Sequence, residues 1–567
     1  MDGFWFDGYA PPQVTTFDDT TRGMYRAATG REIPPRFSAG DPACREFQRW
    51  HYRQFIDLAD RLRGAIRKES PDAVLYANYS ANRTWYFPDS TGSEYPAAYA
   101  NAVDVPSVEL YWDNPGDALF QQFVYAFTQG VTHDRGAATW VQPQPHGISG
   151  VSSPVEIRLR NIEGAPWGVY AEYVEPTGRE DYLRLHVDDI KAREPWWVKS
   201  EPVPYIGIVA SEQTAAYFAG ATLPHYLSHV LGAFRAVFEA HLPVRVLTES
   251  DLENGTLGGV RVIVLPNTKV LSDRAGEVVR RFVQKGGGLV ATFETGLCDP
   301  EWNTRSTFSL ADLFNADYDS TQTVVGRDQN LNVTIAAEHP VMNDPAIIAK
   351  LDTSWRPKEA GPPVLDLIAS ATKVVPREHA KVVAEWSLPV AGTHKWPAAI
   401  ISETGTGRVV YLPAAFDKGY FFYPDEYMRH LIVNACVWAA NTPPPLSVEG
   451  PLMLATTFRC QPEQHRAVVH LLNDASSYGR HSIYQKMPPL SDDLKRRGFQ
   501  DSPDLRGQWP TREEIIPLHD ITVICRCPGV TKAAQQPEGI DLPLKTTERG
   551  VEVVVPKMDM YSMVVFE

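Results

Sequence analysis

Three acidic residues stand where an apolar run meets a polar or aromatic turn: Asp7 after Phe4-Trp5-Phe6, Glu109 within Val105 to Trp112, and Glu172 within Gly168 to Val174. Two carboxyl groups facing each other across a glycosidic bond can break it, one protonating the leaving oxygen while the other attacks or activates water. Each run reads as a short buried strand, and in a barrel of parallel strands the catalytic groups sit where strands end, because only there do side chains from different strands converge. For Asp7 the alternative is an Asp capping the turn at Gly8. Glu109 precedes Leu110-Tyr111-Trp112, and apolar surroundings raise a carboxyl pKa as a general acid requires. On this reading Asp7 is the nucleophile and Glu109 the acid/base, two strands apart on one rim, within reach of the roughly 5–5.5 Å separation of retaining enzymes. Glu172 is the weaker candidate. It joins Trp5, Asn78, Tyr79, Arg83, Trp85, Trp112, Trp140 and His146 as groups at or near strand ends that could hold a hydroxyl or stack on a sugar ring. Packing or loop anchoring is the alternative for each of them.

A regular alternation has to position these groups. After the first strand and a loop rich in Asp, Thr and Pro, Asp41-Pro42 opens a helix with an N-cap and a proline at its first position. Phe47, Trp50, Phe55, Leu58, Leu62 and Ile66 give that helix one buried stripe. Strands follow at Ala73 to Tyr79, Val105 to Trp112, Ala137 to Gln142 and Gly168 to Val174, with helical patterns at Ala118 to Thr128 and Asp181 to Arg193 and a weaker one between. Such alternation predicts a parallel sheet with helical crossovers. About five strand-helix units fall in residues 1–200, where a closed barrel has eight, so the expectation is a partial (β/α) barrel whose first strand lacks a neighbour and presents an open edge. A truncated N-terminus is the expected reason.

The chain has 567 residues, enough for two to four domains. Its 69 acidic against 54 basic side chains give a formal charge of −15, which disfavours nucleic acid and anionic lipid as partners. No apolar run approaches the roughly 20 residues of a bilayer span, and no N-terminal signal pattern is present, so the expectation is a cytoplasmic protein, subject to what precedes Met1. Cys44, Cys298, Cys436, Cys460, Cys525 and Cys527 have neither zinc nor redox spacing, and they read as free thiols with no metal or cofactor implied. The 14 Trp, 24 Tyr and 23 Phe suit stacking on sugar faces, although they also fill cores.

Residues 203–441 begin a second alternation: strands at Tyr205 to Ala210, Val244 to Leu247 and Val260 to Pro266, and helices at Leu223 to His241 and from Ser272 to Lys285. Gly286-Gly287-Gly288 then opens the strand to Phe293. The pattern predicts a doubly wound, flavodoxin-like sheet. The glycine triplet follows a helix and precedes a strand, the reverse of a phosphate cradle. Gly405 to Pro413 reads as a turn into a strand, and Tyr427 to Trp438 as a closing helix. Pro443-Pro444-Pro445 is a stiff linker, after which the alternating runs of residues 446–567 predict a β-sandwich, with Ser491 to Thr511 as a long loop.

The run Phe-Trp-Phe-Asp-Gly (Phe4 to Gly8), then Ala28-Thr29-Gly30-Arg31-Glu32-Ile33-Pro34, a helix with Phe47, Trp50 and Tyr52, and the strand to Asn78 resemble the second half of a glycoside hydrolase barrel that precedes a β-galactosidase-type trimerisation domain. The aromatic strand closing in Asp-Gly is also similar to the nucleophile strand of α-L-fucosidases, which implies the nucleophile role for Asp7. The middle segment resembles both the trimerisation domain and the class I glutamine amidotransferase fold. The latter needs a cysteine on a strand-to-helix turn. Thr292-Phe293-Glu294-Thr295-Gly296 offers none and Cys298 comes too late, so the resemblance implies a scaffold and a homo-oligomer, trimer or dimer, through this segment. The resemblance implies an exo-acting glycosidase with a carbohydrate substrate. A non-catalytic carbohydrate-binding or structural relative with an incomplete barrel is the alternative.

Overall fold

The computed structural model describes residues 3–6, 18–35, 41–78, 96–109, 118–141, 153–173, 180–218, 223–319, 325–351, 363–389, 394–474 and 514–567. The fold is mixed α/β, built on three regions of sheet. The first is a five-stranded parallel sheet in sequence order: β1 (Gly3–Phe6), β2 (Val74–Asn78), β3 (Val105–Glu109), β4 (Ala137–Val141) and β5 (Val169–Tyr173). β1 is an edge strand, with Phe4, Trp5 and Phe6 all exposed. Successive side chains alternate between faces. Leu75, Ala77, Val108, Ala137 and Val169 are buried on the helix-covered face, while Trp5, Val74 and Tyr170 of the other face are exposed.

The connecting helices are α1 (Asp19–Thr29), α2 (Pro42–Glu69), α3 (Pro96–Ala102), α4 (Ala118–Val131), α5 (Pro154–Ile162) and α6 (Glu180–Trp197). The expected cap is present on α2, where Asp41 accepts from the Ala43 amide at 2.9 Å. The segment read as loop before α2 contains α1. Asp18 accepts from the Thr21 amide at 2.9 Å, Gly30 closes the helix in the left-handed conformation at φ 71°, and Tyr25 packs edge-on to Phe47. Pro195 does not end its helix. It lies inside α6, which runs on to Trp197.

The second sheet has nine strands. Among its parallel strands are β6 (Ile206–Val209), β7 (Val244–Leu247), β8 (Val262–Leu265) and β9 (Gly288–Thr292). β10 (Val325–Ile335), β11 (Leu365–Ala371), β12 (Lys381–Ser387), β13 (Trp396–Thr404) and β14 (Gly407–Leu412) extend it in the order β11-β10-β12-β13-β14-β9-β8-β6-β7. The chain steps from β6 outward to β7 and then back across to β8, so the strand order reverses between β6 and β8. Helices cover both faces: α7 (Glu212–Tyr217), α8 (Ser228–Glu239), α9 (Glu249–Asn254), α10 (Asp273–Gln284), α11 (Phe416–Phe422) and α12 (Glu426–Ala440). The alternation sorts the core cleanly, with Ile206, Ile208, Val262, Val264 and Val290 toward α8 and α12, and Ile263, Leu265, Leu289 and Ala291 toward α9 and α10. α8 sits so close to α11 that a Cβ at Gly232 would lie 1.8 Å from the Asp417 carbonyl oxygen.

The third region is a two-sheet sandwich. Leu446–Glu449, Leu518–Cys525, Gly550–Met558 and Lys545–Thr547 form one sheet. Leu454–Gln461, Arg466–Asn473 and Tyr561–Phe566 run through the other, to which the short strand Glu201–Pro202 adds at the edge through Arg459 and Cys460. The Ser491 to Thr511 loop lies outside the described residues. One hydrophobic cluster runs from the helices of the first sheet through the second to the sandwich, including Phe123, Phe234, Leu431 and Tyr561. α4 is the hinge of this packing: Phe123 meets Phe234 of α8 edge-on at 5.5 Å, and Gly130 lies directly against Val246 of β7.

Candidate active site

In-register parallel pairing places Glu109, Trp140 and Glu172 in one row across the ends of β3, β4 and β5. One step earlier lies the row Asn78, Ser107, Ala138 and Tyr170. Both rows belong to the face away from the helices, and both lie at the strand ends where catalytic groups of parallel sheets gather. The final residue of β1, Phe6, pairs with Ala77, so the end of the strand that Asp7 follows and the end at Glu109 are two strands apart.

Burial raises the carboxyl pKa of Glu172. Its Oε2 is buried without a hydrogen-bond partner, as are the Tyr76 hydroxyl and the Ser107 hydroxyl on the same face. Buried polar atoms are nearly always paired, so three orphans on one face mark where a polar ligand would make its bonds. Asn78 is also buried here, and Trp5 is exposed on the same face, in register with Tyr76. Glu109 and Trp140 are placed by their strands. Asp7, Tyr79, Arg83, Trp85, Trp112 and His146 lie outside the described residues. Tyr76 and Ser107 were not among the candidates read from sequence. Their strand positions, two residues before Asn78 and Glu109, were the available signal.

A hydrolytic nucleophile in the second sheet would stand at the end of β9. Phe293 occupies the strand-to-turn position with φ 50°, held by a 2.6 Å bond from the Tyr411 hydroxyl to its carbonyl. The residue in the strained conformation is thus a phenyl ring, and no nucleophilic atom is presented there. His229 stacks on it at 5.6 Å, and its Nδ1 lies 2.9 Å from Asp417 Oδ1. The Thr292 hydroxyl donates to Asp417 Oδ2 at 2.6 Å and the Lys418 amide to Oδ1 at 2.8 Å. Asp417 therefore sits between His229 and Thr292, so the hydroxyl bonds the carboxylate and not the imidazole. That arrangement ties α8, α11 and β9 together in place of activating a hydroxyl. Nearby, Lys269 pairs with Glu294 at 2.9 Å, which together with neighbouring groups holds its ammonium pKa up against the cost of burial. Burial pushes the Cys298 thiol up, away from the reactive thiolate. All six cysteines are free thiols. Cys525 ends its strand, and its Sγ accepts from the Cys527 amide at 3.3 Å.

Among the described residues no group of three or more His, Cys, Asp or Glu is arranged to hold a metal ion, and no helix is long and apolar enough to cross a membrane.

No curated protein sequence matches the chain. Solved structures match it in fold. α-L-Fucosidase isoenzyme 2 from Paenibacillus thiaminolyticus aligns with a TM-score of 0.67 at 15% identity, over 100% of this chain and 77% of that one. Gan42B, a GH42 β-galactosidase from G. stearothermophilus, aligns with a TM-score of 0.65 at 15% identity, over 95% and 70%. The β-galactosidase from Bacillus circulans sp. alkalophilus gives 0.65 at 12% identity, over 97% and 76%. The resemblance read from the sequence, to glycoside hydrolases carrying a trimerisation domain, is thus supported by both the fold of nearly the whole chain and a local sequence match. That match is to the β-galactosidase trimerisation domain family, and it covers residues 206–339, the segment from β6 through β10.

Proposed function

We propose that this protein is a glycoside hydrolase acting on an O-glycosidic bond, retaining and exo-acting, with its site at the C-terminal ends of β1 to β5. The observation that carries this reading is the row Glu109, Trp140 and Glu172 at three adjacent strand ends, with unpaired Tyr76 and Ser107 hydroxyls on the same face. It joins acids, an aromatic residue and hydrogen-bonding groups, the set that a sugar ring requires. The five-stranded sheet is then part of a (β/α) barrel, with residues 1–200 catalytic, 203–441 an oligomerisation unit and 446–567 a supporting sandwich.

In this mechanism Asp7 attacks the anomeric carbon while Glu109 protonates the leaving oxygen. Glu109 then takes a proton from the water that releases the sugar. Strands spaced about 4.8 Å apart put the two strand ends roughly 10 Å apart along the sheet, and a retaining mechanism requires the two carboxyl groups to stand about 5–5.5 Å apart. Glu172, its carboxyl pKa raised by burial, hydrogen-bonds a substrate hydroxyl; Trp5, Asn78, Tyr79, Arg83, Trp85, Trp112, Trp140 and His146 bind and stack on the sugar. β-Galactosides and α-L-fucosides are the first substrates to try, because the structural neighbours carry those activities in their names.

The test is hydrolysis of a panel of aryl glycosides by the wild-type chain and by Asp7→Asn and Glu109→Gln. Loss of either group lowers the rate by about 10³-fold or more, with sugar binding retained. Equal rates for both variants and the wild type would sink the assignment. The second reading, a non-catalytic carbohydrate binder, is favoured by the exposed face bearing Trp5, Val74 and Tyr170. It predicts no turnover on any glycoside in the panel together with saturable binding of the same sugars.

A further inference from the structure

Where the first sheet, the second sheet and the sandwich meet, a small cavity is lined by Gln129 and Trp167 from the first, by Val203, Pro204, Pro243 and Val244 around the second, and by Pro202 and Thr456 to Arg459 from the third. It offers about 10 Å³ to the centre of a water-sized sphere, enough for one small occupant. Arg459 is 5% exposed, and no carboxylate lies within 4 Å of it among the described residues. Its Nε donates to the Ser200 hydroxyl and its Nη2 to the Ser200 carbonyl, both at 2.7 Å, while Nη1 has no partner. The nearby acid, Asp134, is engaged by Arg245 at 2.8 Å and does not line the cavity.

A guanidinium keeps its charge in any protein environment, and a buried charge is normally matched by an opposite one. Neutral Ser200 atoms satisfy two of its nitrogens without cancelling the charge. The cavity wall carries one cation, no acid, and the further donors Gln129 and Thr456. We propose that this junction binds a single small anion, chloride in the cell, held by Arg459 Nη1 and bridging the three sheet regions. Trp167 precedes β5 whereas Glu172 lies at its far end, so the site sits at the opposite end of the strands from the proposed catalytic rim and stands whether or not that rim hydrolyses glycosides. Its consequence is that docking of the sandwich and second sheet onto α4 depends on chloride.

The experiment has two arms on the full chain. Melting is followed as chloride replaces gluconate at constant ionic strength, for the wild type and Arg459→Met. The wild type gains a saturable rise of about 1–3 °C in midpoint that Arg459→Met lacks. Crystals of the wild type grown with bromide show an anomalous peak beside Arg459 Nη1, a readout that stands even where Arg459→Met does not fold. A water in that place with no bromide peak, or a chloride effect that Arg459→Met retains in full, overturns the proposal.

Discussion

Gly130 and Gly64 are both helical glycines, and the same substitution at the two positions is expected to act with opposite sign. A Cβ on Gly130 of α4 would lie 2.2 Å from the Val246 carbonyl oxygen and 3.1 Å from its carbon. Ordinary contact begins at 3.4 Å, so the helix or β7 must withdraw by 1.2 Å. The atom met is backbone in a parallel strand, and it cannot swing aside as a side chain would. α4 is held on both sides, by its own sheet and by α8 through Phe123 and Phe234, and a shift of that size opens gaps along a row of buried rings. Overpacking of this kind costs about 1–3 kcal/mol, and the backbone target puts Gly130→Ala at or above the upper end. At Gly64 in α2 a Cβ meets nothing within 4 Å. Alanine there removes the glycine's extra freedom in the unfolded chain and stabilises by about 0.5–1 kcal/mol. The assay is denaturant unfolding followed by far-UV circular dichroism, with hydrogen exchange of α4 and β7 amides as the local readout. Gly130→Ala should unfold earlier and lose protection first at that interface, while Gly64→Ala unfolds later. A neutral Gly130→Ala would refute the close packing of the first sheet on the second.

Glu172→Gln should remove the cost of ionising a buried carboxyl. The folded pKa is raised, so the native state binds the extra proton and wild-type stability falls as pH rises through that pKa; the variant gains on the wild type at pH 7 and equals it at pH 4, as paired unfolding curves would show. His470 carries the opposite sign. Burial holds its pKa down at about 3, against an ordinary value near 6.5, so the stability it confers is present above that value and is lost as pH falls toward 3. His470→Gln should flatten the decline in melting midpoint over that window, and an unchanged slope would count against the buried, neutral imidazole. Asp417→Ala strands His229, the Thr292 hydroxyl and the Lys418 amide together, all of them buried. The expected loss is about 3–5 kcal/mol, with Asp417→Asn losing less, as equilibrium unfolding would measure.

The elements that local chemistry specifies were legible in the residues. Asp41-Pro42 and Ser272 announce helix starts, and both cap as expected. The apolar runs from Tyr205, Val244, Val260 and Leu289 are buried on both faces and become parallel strands. α1 is not legible in the sequence because its cap, Asp18, lies in a run of Asp and Thr that reads equally well as loop. The helix shows itself only through Tyr25, whose partners Phe47 and Trp50 come from α2. Pro195 is tolerated late in α6, whose last turn is fixed by Trp197 bonding the Tyr561 hydroxyl at 2.8 Å, a contact 364 residues away in sequence. The candidate site divides the same way. That Glu109 and Glu172 end strands follows from the sequence, but their shared row with Trp140 depends on strand register. Arg459 gives no local sign of burial, because it sits among Thr, Cys and Gln in a strand whose neighbours are set by tertiary pairing.

The first sheet raises a physical question: what holds its five parallel strands in place when β1 is an exposed edge strand? The answer lies in the helices. α4 is buried by β7 and α8, α6 is bound to the sandwich through Trp197, Arg193 and Tyr561, and α2 reaches the second region where Arg45 donates to the Glu301 carbonyl at 2.9 Å and stacks on Trp302 at 3.8 Å. At the start of α3 the Ala97 amide donates to Glu212 of α7 at 2.8 Å. β3, β4 and β5 are therefore positioned by contacts made outside their own sheet. Under the proposed function, catalysis depends on carboxyl separation to within about an ångström, so variants at these remote contacts should lower turnover without touching the strand ends. Tyr561→Phe is the sharpest case. It deprives Trp197 Nε1 and His470 Nδ1 of one hydroxyl, frees the end of α6 just after β5, and should reduce kcat on a cleaved glycoside more than it raises KM. If Tyr561→Phe loosens the sandwich, as hydrogen exchange of Tyr561 to Phe566 would report, and turnover stays at the wild-type value, then the strand ends hold their spacing unaided and this coupling is wrong.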